Sequence, residues 1–488
     1  MCLPDELDNH EAICKATNFI DDEDDSEPQI QFSSSLRGSE QSLQRNRRSD
    51  QNISPPSHTS ISSVQPSSRS KRSAIGPELS AASCMTSAPS FEFRTSFEHR
   101  LSTLKQQLKQ YLDEQIQRAQ SREKQFLKIQ TSRRNILGSA ADILDSTTAS
   151  DWCLPLQVIF DGEQGIDAGG LTREWMNILI NEAIRQQNQL FVCDTVNEFR
   201  ISILRSNMRN IVEKLKLYKL IGIVIGKAVT ENITISARFD SFIFKSLLGF
   251  GAHITDLQSL DQNLFNQLKQ MEESEDVSSW GLTFSVSEEM PNGEQKTVSL
   301  VDGGEDLDVT NENKSEFIQL RIHQRLLSGI EPQLHQLRDG FQMLVPGHFL
   351  REFSPSELEL IICGPTTINV NEWKANTKYE SPLTASHSIV KWFWEILKEE
   401  DEKFKRQVLQ YVTGLQSPPA TGFAGLVTTV GDEQYRFTLR SMSENAHHLP
   451  VAHTCFYQLD LPQYQTKAQL KNKMKKALEQ IGSGFQIS

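Results

Sequence analysis

The chain has 488 residues, 37% of them hydrophobic, and a formal net charge of −13. So acidic a balance excludes non-specific nucleic-acid binding, which needs clustered Lys and Arg, and an apolar share below the globular norm of about 45–50% means that part of the chain builds no core. Seven scattered cysteines (Cys2, Cys14, Cys84, Cys153, Cys193, Cys363 and Cys455) include no C-x-x-C pair, which excludes a disulfide framework and a zinc site and points to a reducing compartment.

Residues 1–90 read as a disordered tail. The first thirty carry ten acidic residues and one lysine, so no signal peptide is expected there. The next sixty contain 19 serines and little that packs. Two basic clusters, Arg45, Arg47 and Arg48, then Arg69, Lys71 and Arg72, are either a nuclear signal or part of a solvated linker. The expected location is cytoplasmic, with access to the nucleus.

Residues 91–130 read as an amphipathic helical extension. "TSFE" at Thr95–Glu98 has the form of a capping box. Phe97, Leu101, Leu104, Leu108, Tyr111 and Leu112 follow at 4-3 spacing, an apolar stripe suited to docking on the next domain through a helix over Phe97–Ile129. "LPLQVIF" at Leu154 alternates like a strand. "DGEQGIDAGG" is a glycine-rich turn, and "LTREWMNILINEAI" has apolar residues at helical spacing. "LIGIVIGKAV" from Leu220 continues the helical texture. Interrupted by Lys227, it falls short of the ~20 residues that span a bilayer. A small β insertion is expected at about 280–310, then helices from Asn313. "ICGPTTINVNEW" at Ile362 marks a boundary between two lobes. Beyond it come a helix at "IVKWFWEIL", a hairpin turning at Gly431-Asp432, and a final helix capped by Thr466 with Leu470, Met474, Ala477, Leu478 and Ile481 on one face.

The 11 histidines contain no H-E-x-x-H, "DGGEDLDVTNEN" lacks the calcium-loop register, and no phosphate-loop pattern occurs. No metal or cofactor is expected.

That leaves "LPVAHTCFYQLDLPQY" at Leu449–Tyr464. Cys455 has two readings. One is a buried structural cysteine. The other is a reactive thiol: Pro450 and Pro462 keep the segment a loop, the small neighbours Ala452 and Thr454 leave the sulfur approachable, and His453 favours thiolate.

The same stretch resembles the active-site loop of HECT-type ubiquitin ligases. "RRNIL", "VIFDGEQGIDAGGLTREW", "LIGIVIGKAV", "VTNENKSEF" and "ELELIICG" are similar, in order, to N-lobe motifs of that family, and "KWFWEIL" and "LQYVTGLQSPPATGF" to C-lobe motifs. The likeness covers about 130–488. Three departures stand out: Ala452 in place of a Ser, "REWM" in place of a Phe-Phe pair, and Pro365 at the inter-lobe hinge.

The resemblance implies an α+β, bilobal HECT-like fold: a mainly helical N-lobe over 131–364 with its small β insertion, a hinge at 365–368, and an α/β C-lobe over 369–488. It implies ubiquitin transfer through a thioester on Cys455, flanked by His453 and Thr454, with Asp460 orienting the acceptor lysine and Phe485, four residues from the end, supporting transfer. The implied partners are ubiquitin, a ubiquitin-conjugating enzyme and protein substrates. By position, the conjugating-enzyme groove would use Leu264, Leu268, Trp280, Leu282 and Phe317, which also suit ordinary core packing. Two rival functions are a HECT-shaped scaffold without transfer and a cysteine hydrolase of ubiquitin-like thioesters or isopeptides.

Overall fold

The computed structural model describes residues 96–118, 124–163, 169–193, 198–203, 210–258, 260–289, 295–430, 432–442 and 447–482. The tail expected over 1–90, the Thr95 cap and Phe485 lie outside the described residues. The architecture is α+β.

Helix α1 (Phe97–Arg118) buries Leu101, Leu104 and Leu108, the centre of the expected stripe. Arg100 ties it down by donating to Glu352 O and Glu357 Oε1, both at 2.5 Å. The helix ends at Arg118 and does not run on to Ile129. Leu127–Thr131 is strand β1, because Leu127, Ile129 and Thr131 are buried in alternation with exposed Lys128 and Gln130. β1 pairs in parallel with β2 (Leu156–Phe160), and helix α2 (Ile136–Ser146) lies between them in sequence. Helix α3 (Gly170–Ala183) follows the glycine-rich turn and buries Trp175, Met176, Leu179 and Ile180.

After a short antiparallel pair, β3 (Phe191–Cys193) and β4 (Phe199–Ile201), comes the long helix α4 (Ile211–Thr230). It packs on α8 (Glu331–Gln342). Cβ atoms on Gly222 and Gly340 would lie 2.0 Å from the Leu337 and Lys219 carbonyl oxygens, respectively. The glycines of "LIGIVIGKAV" are therefore there to let two helix backbones touch. Helix α5 (Ser241–Leu247) completes this part.

A second, smaller core is built from α6 (Gln262–Glu273), α7 (Lys314–Leu326) and Phe284, which directly precedes the antiparallel hairpin of β5 (Ser285–Glu289) and β6 (Gln295–Ser299). The hairpin lies within the expected β insertion. Helix α9 (Pro355–Cys363) then leads to Gly364, at φ 68°. Gly364 is tightly packed: a Cβ there would meet Pro418 O, Ser417 Cβ and Thr234 Cγ2. The Pro365 and Thr366 carbonyls accept from Arg406 at 3.2 and 2.5 Å, and Ile368 N donates to Glu402 Oε2 at 2.9 Å. The linker is thus fixed to the segment that follows it.

That segment comprises α10 (Val370–Ala375), β7 (Lys378–Tyr379), α11 (Ser388–Glu399), α12 (Glu402–Thr413), the hairpin β8 (Val427–Val430) and β9 (Glu433–Arg436), then β10 (Thr438–Ser441), β11 (Val451–His453), β12 (Gln458–Leu461) and α13 (Lys467–Gly482). Val430 pairs with Glu433, and Gly431 of the expected turn lies outside the described residues. "YRFTLR" is not one strand, however: it breaks at buried Phe437, and β10 joins a different sheet. That four-stranded sheet has the order β11-β12-β10-β7. Trp373 anchors its aromatic core, stacked on Phe423 with centroids 4.9 Å apart. Thr466 Oγ1 accepts from Gln469 N at 3.2 Å, the expected cap of α13.

Candidate active site around Cys455

The sequence between Pro450 and Pro462 is a hairpin, not an open loop. The prolines lie just outside its strands, so every ladder amide is available. β11 pairs antiparallel with β12, closing on His453↔Gln458, and β12 is an interior strand, parallel to β10. Thr454, Cys455, Phe456 and Tyr457 form the turn. Phe456 N donates to His453 O at 3.0 Å, and Tyr457 sits at φ 52°. That left-handed conformation is uncommon for a residue with a bulky side chain.

The thiol is not approachable, as the small neighbours had suggested. Cys455 is only 6% exposed. It packs with Val430 and Phe456, and Tyr435 meets the Phe456 ring edge-on at 5.1 Å. On another side lies the first turn of α3: a Cβ on Gly170 would stand 3.3 Å from both Cys455 Sγ and Thr454 Oγ1.

His453 and Asp460 face each other across the strand pair. The ring donates from Nε2 to Asp460 Oδ2 at 3.2 Å, and both residues are buried. Asp460 Oδ1 lies 3.4 Å from Arg440 Nε, an ion-pair distance without a hydrogen bond. The Asp460 carboxylate therefore serves its neighbours. The expected groove residues divide by burial. Leu264, Leu268 and Phe317 belong to the second core, with Phe317 edge-on to Phe284 at 5.5 Å. Trp280 is 38% exposed and Leu282 partly buried, so these two keep a face a partner could reach. Trp280 lines a cleft of about 470 Å³ with Asn266, Lys269, Gln270, Glu273 and Ser274.

Sequence reasoning missed Arg173 and Asn177. Arg173 Nη2 donates to Thr454 O at 3.0 Å, and its guanidinium carbon stands 5.1 Å from the Tyr457 ring centroid. Asn177 Nδ2 donates to Gly414 O at 3.0 Å. The signal was weak: two polar residues four apart on a helix that also carries Glu174, Asn181 and Glu182. Burial pushes the Cys363 thiol up to about 12, a structural, unreactive group. Cys193 is exposed. Among the described residues no cluster of His, Cys, Asp and Glu could hold a metal ion, and no helix is long and apolar enough to cross a membrane.

A sequence profile of the HECT domain, described as a ubiquitin-transferase domain, matches residues 177–488. The chain is 34% identical over 352 residues to the E3 ubiquitin-protein ligase Nedd-4 of Drosophila melanogaster, covering 72% of this chain and 34% of that protein. It is 32% identical over 352 residues to the E3 ubiquitin-protein ligase NEDD4 of Homo sapiens, covering 72% and 26%. It is 34% identical over 357 residues to the E3 ubiquitin-protein ligase pub1 of Schizosaccharomyces pombe, covering 73% and 46%. The chain thus spans less than half the length of each of these relatives.

Proposed function

The chain belongs to the HECT-domain family of ubiquitin transferases, and from that premise we propose that it is a ubiquitin-protein ligase carrying ubiquitin as a thioester on Cys455. The observation that supports this best is the Cys455 turn itself: a cysteine held at the tip of β11–β12, within the matched region.

The chemistry is two acyl transfers. The Cys455 thiolate attacks the carbonyl of a ubiquitin thioester on a conjugating enzyme. A new C–S bond forms, the old one breaks, and the enzyme's cysteine leaves as thiolate. A substrate lysine, as free amine, then attacks the Cys455 thioester. A C–N bond forms, the C–S bond breaks, Cys455 leaves as thiolate and the amine gives up a proton. Thiolates are both good nucleophiles and good leaving groups, so positioning dominates. His453, fixed by Asp460, holds the strand end from which the turn springs. The conjugating enzyme docks on the second core through Trp280 and Leu282. The region over 131–364 supplies that dock, and 369–488 carries the thiol, joined through 365–368. Phe485 supports the lysine step from the tail.

A gel-based single-turnover assay with ubiquitin-charged conjugating enzyme tests this. A reductant-labile ubiquitin adduct should form on the wild type and vanish in Cys455→Ala. The scaffold reading draws support from the burial of Cys455, and it replaces the first if several conjugating enzymes leave no adduct on the wild type.

A further inference from the structure

We infer that Arg173 is a positioning residue that seats the Cys455 turn against the first turn of α3, closing the thiol, and that the turn must leave this seat before the sulfur can be acylated. The inference deepens the proposed function and rests on Cys455 being the acceptor thiol.

Three side-chain donors reach from the chain before Gly364 to backbone carbonyls after it. Arg173 Nη2 meets Thr454 O at 3.0 Å, Asn177 Nδ2 meets Gly414 O at 3.0 Å, and Thr234 Oγ1 meets Ser417 O at 2.7 Å. The first acts on the peptide unit directly before Cys455, so it fixes the thiol's own backbone. Arg173 is 6% exposed, lies over Tyr457, and leaves its Nε buried without a hydrogen-bond partner. A guanidinium so placed is held by the turn and holds it in return.

The second contact is steric. Gly170 comes so close to the sulfur that even a methyl group there would be tight, at 3.3 Å. An acyl carbon must come within about 3–3.5 Å of Sγ to react. With α3 on one side and Val430, Phe456 and Tyr435 packed around the thiol, a ubiquitin C-terminus has no approach to the seated sulfur. Opening replaces three hydrogen bonds to carbonyls with hydrogen bonds to water, a small net change for each.

Two substitutions should open it by opposite means. Arg173→Ala removes the donor. Gly170→Ala adds a methyl group against Sγ while favouring the helix it sits in. The experiment measures iodoacetamide alkylation of each cysteine in the full native chain by peptide mass spectrometry. In the wild type Cys455 should react far more slowly than exposed Cys193. Its rate should rise about tenfold in Arg173→Ala, the size of one charge-assisted hydrogen bond lost, and should also rise in Gly170→Ala, while buried Cys363 stays protected. Cys455 as reactive as Cys193 in the wild type, or unchanged in both variants, would overturn the inference. So would an equal rise at Cys363, which reports unfolding. The readout needs no ubiquitin: faster alkylation with no ubiquitin adduct in any variant would keep the seat and remove the transferase reading.

Discussion

His453 donates from Nε2 to Asp460 across the base of the thiol turn, and the ring is only 1% exposed. Its Nδ1 has no hydrogen-bond partner. A buried imidazole in that setting is a strut, since leaving Asp460 without its donor would strand a buried carboxylate. The same distinction between reach and support separates the residues of the second core. Leu268 is buried among Leu264, Met271 and Phe317, while Trp280 keeps an exposed face. Leu268→Ala should cost about 2–5 kcal/mol through lost transfer energy and a cavity. Trp280→Ala, an exposed site, should change stability by no more than about 0.5 kcal/mol and weaken conjugating-enzyme binding. Urea melts and a binding titration of both variants check this. Equal stability losses would contradict the assignment.

At the scale of elements, helix α1 is held to the fold by one well-defined ion pair beneath its first turn. Arg100 Nη2 meets Glu357 Oε1 at 2.5 Å, and Ser354 N adds a bond to Glu357 Oε2 at 2.9 Å. The Arg100 hydrogen bond, with help from Ser354, holds the Glu357 carboxyl at about 2, below its ordinary value of 4.5. A carboxylate lowered on folding stabilises the native state above its unfolded value, and that contribution is lost as pH falls toward the folded one. Arg100→Ala should therefore destabilise the chain at pH 7, and the gap between variant and wild type should shrink steadily below about pH 4.5. Paired denaturant melts at pH 7, 4 and 3 read this out. A pH-independent gap would mean the pair is not what ties α1 down. The α4–α8 crossing has a different basis, backbone contact at Gly222 and Gly340, and carries no such pH dependence.

For the whole molecule, the passage from α9 to α10 joins the thiol-bearing segment to the rest of the fold. Pro365 limits one φ angle, yet the firmer restraint is the grip of the next segment on the linker. Arg406 binds the Pro365 and Thr366 carbonyls, and Glu402 accepts from Ile368 N at 2.9 Å. Gly364, at φ 68°, directly precedes the gripped stretch and packs closely on Thr234, Ser417 and Pro418. Glu402→Ala should raise hydrogen exchange at the Ile368 amide at least tenfold, with exchange in the β7–β12 sheet unchanged. Mass-spectrometric exchange over 364–370 tests it. An unchanged Ile368 would place the restraint elsewhere.

The sequence by itself determined whatever depends on local period and local chemistry. The α1 stripe, the Thr466 cap, the β8–β9 hairpin and the β insertion all follow from spacing and turn residues, and the ordered motifs ending in Cys455 identify the family. It could not determine which apolar residues face a partner and which face a core, because Leu268 and Trp280 differ only in what lies over them. Nor could it decide that Leu127–Thr131 pairs with a strand 29 residues on, that the prolines around Cys455 bound a hairpin instead of making a loop, or that Arg173 sits on Thr454 across 281 positions of chain. These are long-range contacts, fixed only when the helices and the sheet pack, and the accessibility of the thiol is decided among them.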